Sequence, residues 1–140
     1  MIRITNISIA VALSVFLAPL GLVAQKDQSN SVANSVYVEL TRAPTKATAR
    51  RNPLETDPDA PTAGAKLFAQ HCAECHGETA EGGKKGPSLR ASEVQQATPG
   101  AIFWILTNGV VRRGMPVWSK LPDAQRWQLV SYVKSLGTGS

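Results

Sequence analysis

The sequence contains few of the side chains that build crosslinks, and it shows little sign of β-structure. Of its 140 residues only two are cysteines, and both lie in one five-residue run, which leaves none for a disulfide framework across the chain. No segment alternates apolar and polar residues as a half-buried strand does, and no internal repeat is present. These absences exclude a disulfide-stapled or repeat protein and predict an all-α fold.

The net charge is also modest. Fifteen basic residues against ten acidic ones give +5, which is too mild to indicate a nucleic-acid partner, and no recognition motif for nucleic acid is present. We therefore predict no nucleic-acid partner.

The two cysteines belong to Cys72-Ala73-Glu74-Cys75-His76, which has the C-x-x-C-H spacing of c-type haem attachment. On one helical turn two such thiols reach the two vinyl groups of one haem, and the following histidine lies beneath the iron. A thiol–disulfide exchanger would require a nearby βαβ pattern, which the sequence lacks. A structural zinc site needs four ligands, and too few remain because we assign His71, which directly precedes the motif, no ligand role. We predict one covalently bound haem c, attached through Cys72 and Cys75, with His76 as the proximal ligand.

Met115 is the only methionine outside the N-terminal leader, and it lies in a loop between Gly114 and Pro116. A lone methionine is often a core gap-filler. Because a haem motif precedes it, we predict that Met115 is the second axial ligand. His71, the rival, lies on the attachment helix on the proximal side. An iron with both axial positions occupied favours single-electron transfer over catalysis. The minor alternative is a haem sensor or weak peroxidase with a displaceable Met115.

The N-terminus has the features of an export signal. Arg3 supplies a positive charge, an apolar stretch follows, and Leu22-Val23-Ala24 is an acceptable cleavage site. We predict that residues 1–24 are a signal peptide or an uncleaved N-terminal anchor. The protein would then be exported and periplasmic, or anchored to the inner membrane facing the periplasm, with membrane association only if the leader is retained.

Residues 25–60 are rich in polar residues and proline, and they are predicted to form a flexible tether. The pair Arg50-Arg51 allows two interpretations: it folds back toward the haem propionates, or, as we favour, it is a solvated basic pair. Residues 61–140 form the predicted haem domain, with three main helices. The first follows Thr62 as N-cap, the second follows Thr98 and ends at Asn108-Gly109, and the third begins near Pro122 and ends at Gly137.

With these residues in place, the chain resembles the class I cytochromes c over about residues 64–136. Gly64-x-x-x-Phe68-x-x-x-Cys72 is similar to the first helix of that family, whose glycine allows the last helix to cross closely, with Leu129 and Tyr132 as packing residues. The resemblance implies a cytochrome c-like fold with three main helices around one covalently attached haem. It also implies that the carbonyl of Pro87 accepts a hydrogen bond from His76, and that Trp104 and Trp118 lie near the haem.

Basic residues flank both loops that would border the haem. They are Lys84, Lys85, Arg112, Arg113 and Lys120. Such a rim either steers an acidic redox partner such as a dehydrogenase, an oxidase or a respiratory complex, or it is simply a solvated surface. We predict an electron carrier with no catalytic residues, working alone or as the cytochrome subunit of an oxidoreductase complex.

Overall fold

The computed structural model describes residues 37–137, which form six α-helices and two short 3-10 helices. The 3-10 helices are Val38–Arg42 and Val111–Arg113. The α-helices are α1 (Thr45–Thr48), α2 (Ala60–His71), α3 (Ala73–His76), α4 (Ser92–Gln96), α5 (Pro99–Asn108) and α6 (Asp123–Ser135). Within this range the only β-pairing is an isolated antiparallel bridge between Val110 and Met115. The predicted all-α fold is confirmed.

Local signals explain where the long helices begin and end. The side chain of Thr98 accepts a hydrogen bond from the backbone N–H of Ala101 at 3.2 Å, so it caps α5 as predicted, and Pro99 occupies the first helical position. Helix α2 begins earlier than predicted. Asp59 occupies its N-cap position, and Pro61 lies in the first turn, where its missing N–H costs nothing.

The core is organised by the crossing of α2 and α6. A Cβ atom on Gly64 would lie 2.0 Å from the backbone oxygen of Gln128, so only glycine lets the two helices approach this closely. Phe68 lies one turn further along α2, and it is fully buried together with Leu129. Its ring packs against that of Tyr132 at 5.1 Å between centroids. This close packing fixes the end of α2, from which the haem motif continues.

The structure differs from the sequence prediction over residues 37–60, which are folded against the domain instead of forming a flexible tether. Asn52 is buried, and its amide donates to Ser131 Oγ at 2.8 Å and to the carbonyl of Trp127 at 3.3 Å. The guanidinium of Arg50 lies 4.5 Å from the ring centroid of Phe103. These contacts are polar or cationic, so the low apolar content of the segment did not reveal them.

The predicted leader, residues 1–24, lies outside the described residues, as do residues 25–36 of the predicted tether and residues 138–140. No helix within residues 37–137 is long and apolar enough to cross a membrane.

Candidate functional site

One cavity of about 680 Å³ brings together the predicted haem-binding residues. This volume lies within the range of about 300–1,000 Å³ that is typical of cofactor sites. Cys72, Cys75, His76, Pro87 and Met115 all line it. The remaining wall is largely apolar and comes mainly from the three long helices, from α4 and from the loop before it. Its apolar residues include Phe68, Leu89, Val94, Ile102, Ile105, Leu106, Leu129 and Val133.

The imidazole of His76 is held in one orientation by the loop that follows it. Its Nδ1 lies 2.8 Å from the carbonyl oxygen of Pro87. Because a carbonyl only accepts hydrogen bonds, Nδ1 carries the proton and Nε2 keeps its lone pair for a metal. A hydrogen bond of 2.7 Å from the N–H of Gly82 to the carbonyl of His76 folds this loop back against the histidine. The contact that the resemblance implied for Pro87 is therefore present.

Met115 lies at the end of a short loop whose two sides are bonded together. The N–H of Val110 donates to the carbonyl of Met115 at 3.0 Å, and the N–H of Met115 donates back at 3.3 Å. Gly114 has φ +87°, a backbone conformation that turns the chain into this bridge. A further hydrogen bond of 3.0 Å joins the N–H of Trp118 to the carbonyl of Leu106 on α5. The half-buried Met115 thus reaches the same cavity as His76.

The thiol of Cys72 lies in a buried setting that does not favour thiolate chemistry. Burial, and to a lesser extent the neighbouring Cys75, raises the pKa of the Cys72 thiol to about 11. A thiol with a raised pKa stays protonated at neutral pH and is a poor nucleophile in disulfide exchange. Two thiols beside an oriented imidazole in an apolar cavity suit covalent haem attachment, so the residues present fit haem c.

Several cavity residues were not predicted from the sequence. Tyr37, Glu39 and Leu40 line the cavity although they lie in the segment predicted as a tether. Glu39 is a buried carboxylate, and no sequence signal marked it. His71 also lines the cavity, with its ring 5.3 Å from that of Trp118. Trp118 therefore lies at the cavity as the resemblance implied, whereas Trp104 is not among the residues that line it.

The predicted basic rim is partly neutralised. Arg112 and Arg113 both form ion pairs with Glu39, and Lys85 Nζ lies 2.6 Å from a carboxylate oxygen of Glu74. Lys84, Lys85 and Arg113 line the cavity, whereas Arg112 and Lys120 do not. The rim therefore carries less positive charge than the sequence suggests.

Comparison with known proteins identifies one family. Residues 59–133 match the family described as cytochrome C oxidase, cbb3-type, subunit III. The matched region covers α2 to most of α6, including the cavity residues from Cys72 to Met115.

Curated relatives give the same result. Cbb3-type cytochrome c oxidase subunit CcoP from Azospirillum brasilense is 34% identical over 97 residues, which are 63% of this chain and 32% of that protein. The subunit of the same name from Rhodobacter capsulatus is 34% identical over 88 residues, 56% of this chain and 30% of that protein. The chain thus spans about a third of the length of the curated relatives it matches.

Among solved structures, cytochrome CL from the marine methylotrophic bacterium Methylophaga aminisulfidivorans MPT is similar in fold. The superposition has a TM-score of 0.54 and 29% sequence identity, and it covers 66% of this chain and 68% of that one. The helical fold described above therefore has a counterpart among solved structures.

Proposed function

Because the chain belongs to the family of cytochrome c oxidase, cbb3-type, subunit III, and is a c-type cytochrome with covalently bound haem c, we propose that it transfers single electrons with its iron held between His76 and Met115. The observation that carries this proposal is the shared cavity. One imidazole with an oriented lone pair and one thioether face the same apolar space as the two attachment thiols.

Bound haem c supplies the redox chemistry, because its iron takes up and releases one electron. The residues of this chain would do the rest. Cys72 and Cys75 would hold the macrocycle, while the carbonyl of Pro87 keeps His76 oriented and makes it more basic. A thioether from Met115 would raise the reduction potential relative to a second histidine. The apolar wall would exclude water and so limit reorganisation when the charge of the iron changes.

We extend the proposal to the partner. The relatives are named as subunits of a cbb3-type cytochrome c oxidase, and an electron carrier of this family would exchange electrons with a respiratory complex of that class. Lys84 and Lys120 have no ion-pair partner among residues 37–137, so they remain available to steer an acidic surface. Export by the N-terminal leader remains part of the proposal, since covalent haem attachment in bacteria takes place outside the cytoplasm.

The covalent attachment is tested by denaturing the periplasmically matured protein and separating free haem from polypeptide. We expect the haem to stay with the wild-type chain and, through the one remaining thioether, with a Cys72→Ser variant. A Cys72→Ser, Cys75→Ser double variant should retain no haem after denaturation. A potentiometric titration of the wild-type protein should follow a one-electron curve. Haem that is fully extracted from the wild-type chain, or a wild-type protein that takes up no haem, would overturn the proposal.

The docking surface is tested by ionic strength. Electron-transfer rates with an acidic acceptor protein should fall as salt is added, because screening weakens long-range attraction. The decrease should be smaller in a Lys84→Gln, Lys120→Gln double variant. A rate that does not change with salt would contradict steering by the rim while leaving the haem ligands untested. Tight binding of small ligands by the resting ferric protein would instead favour a sensor or weak peroxidase.

A further inference from the structure

The first 3-10 helix and the residues beside it form a strap, residues 37–43, along one edge of the cavity. Tyr37, Glu39 and Leu40 of the strap line the cavity directly. Its C-terminal end is fixed by Ala43, which is buried. The strap is therefore part of the wall of the cavity and is anchored to the domain behind it.

The strap contacts the loops on which both predicted iron ligands depend. At one end the hydroxyl of Tyr37 donates to the carbonyl of Ser88 at 2.9 Å, next to the Pro87 carbonyl that orients His76. Two residues further along the strap, Glu39 forms ion pairs with Arg112 and Arg113, which lie three and two residues before Met115. A segment outside the haem motif thus links the two loops.

The carboxylate of Glu39 is the centre of this contact. Only 11% of its side chain is exposed, and it is surrounded by Arg112, Arg113 and Arg42. The two loop arginines are 55% and 40% exposed. A carboxylate so little exposed needs cationic partners, and two adjacent arginines in a three-residue helix repel one another unless an anion lies between them.

Inside the loop, backbone hydrogen bonds of 2.8 and 3.0 Å run from the N–H groups of Arg113 and Gly114 to the carbonyls of Val110 and Val111. The two sides of the loop are joined by the paired hydrogen bonds between Val110 and Met115, and Val111 at its tip is 69% exposed. We propose that Glu39 is a positioning residue. From the strap, its carboxylate fixes Arg112 and Arg113 and so keeps the loop closed, with the thioether of Met115 facing the cavity. The role in ligation rests on the proposed function, whereas the closing of the loop does not.

Trypsin cleavage tests the closing of the loop without reference to the iron. Cleavage after Arg112 and Arg113 requires the loop to open locally. In the haem-loaded protein we expect Glu39→Gln to increase this cleavage rate by about threefold to tenfold, as expected for loss of a partly exposed charge cluster. Cleavage after Lys66 in α2 should not change, since it reports opening of the whole domain.

The matched control is Glu55→Gln, which removes an exposed ion pair of 3.1 Å with Arg51. Neither Glu55 nor Arg51 lines the cavity. This substitution should leave the cleavage rate in the loop unchanged. If Glu39→Gln fails to mature, Arg112→Gln tests the contact from the other side, with cleavage followed after Arg113. Equal rates in the Glu39 and Glu55 variants, or equal acceleration at Lys66 and in the loop, would overturn the proposal.

Imidazole titration of the ferric protein tests the consequence for Met115. Imidazole competes with the thioether, so its apparent affinity rises with the fraction of molecules whose loop is open. We expect a rise of about threefold to tenfold in Glu39→Gln and none in Glu55→Gln. If the wild-type protein lacks methionine ligation, the proposed function fails, and the cleavage rates still decide the role of Glu39. If ligation is present but neither measurement depends on Glu39, the strap proposal alone fails.

Discussion

Replacing Gly100 by alanine tests whether residues 37–60 are part of the folded domain. Gly100 lies in the first turn of α5, where α1 and the residues after it pack against the helix. A Cβ atom at this position would lie 2.1 Å from the backbone oxygen of Ala47 and 2.8 Å from that of Arg50. Both are main-chain atoms, so they move only if the whole segment shifts.

The expected effect combines two opposing contributions. Overpacking of a close contact costs about 1–3 kcal/mol, while alanine gains at most about 1 kcal/mol over glycine from helix preference. We therefore expect Gly100→Ala to lower the free energy of unfolding by about 1–2 kcal/mol. For a domain of roughly this size, each 1 kcal/mol lowers the melting temperature by about 4–8 °C, so we expect a decrease of about 4–16 °C.

Thermal unfolding of the haem-loaded protein, followed by circular dichroism, measures this change. Thr62→Ala is the control, because Thr62 is an exposed residue of α2 and alanine adds no atom there. If residues 37–60 were a flexible tether, Gly100→Ala would meet no obstacle and helix preference would leave the melting temperature unchanged or higher. That result would refute the packed segment.

Three further predictions concern the core, the buried amide and the response to acid. Gly64→Ala should lower the free energy of unfolding in urea by about 2 kcal/mol or more, because its Cβ would meet the backbone of α6 at 2.0 Å; an unchanged midpoint would contradict the close crossing. Asn52→Ala should lower the free energy of unfolding, measured by thermal unfolding, by about 1–3 kcal/mol. A double-mutant cycle with Ser131→Ala should show that the two effects are not additive, and strict additivity would exclude the hydrogen bond between these side chains. The hydrogen bond from Arg112 lowers the pKa of Glu39 below its ordinary value. The ion pair therefore stabilises the fold fully above the pKa that Glu39 has in the unfolded chain, and this contribution is lost as the pH falls through its pKa in the folded protein. Acid unfolding of Glu39→Gln should therefore depend less steeply on pH than that of the wild-type protein, and equal slopes would count against the ion pair.

The sequence predicted the features that depend on strong local signals. C-x-x-C-H placed two thiols and an imidazole together, and the cap at Thr98 set the start of α5. The resemblance to class I cytochromes c added the glycine of the helix crossing and the carbonyl of Pro87. Each of these needs a particular residue type at one position, so the sequence alone carries the information.

The role of residues 37–60 was missed for a physical reason. Beside a few apolar contacts from Tyr37, Leu40 and Ala43, these residues contact the domain through an amide on a backbone carbonyl, a guanidinium over an aromatic ring and a carboxylate between arginines. None of these produces hydrophobic periodicity, and each depends on partners about 50 to 80 positions away in the chain, as for Asn52 and Ser131 or Glu39 and Arg112. A buried carboxylate such as Glu39 becomes recognisable only when its partners are placed in space.

The most direct test of the central claim is the far-red absorption spectrum of the oxidised, periplasmically matured protein. Ligation by Met115 predicts a weak sulfur-to-ferric-iron charge-transfer band in the wild-type protein. The band should be absent in Met115→Ala while the covalently attached haem is retained. A wild-type haem spectrum without this band, or a band that persists in Met115→Ala, would contradict the assignment of His76 and Met115 as the two axial ligands.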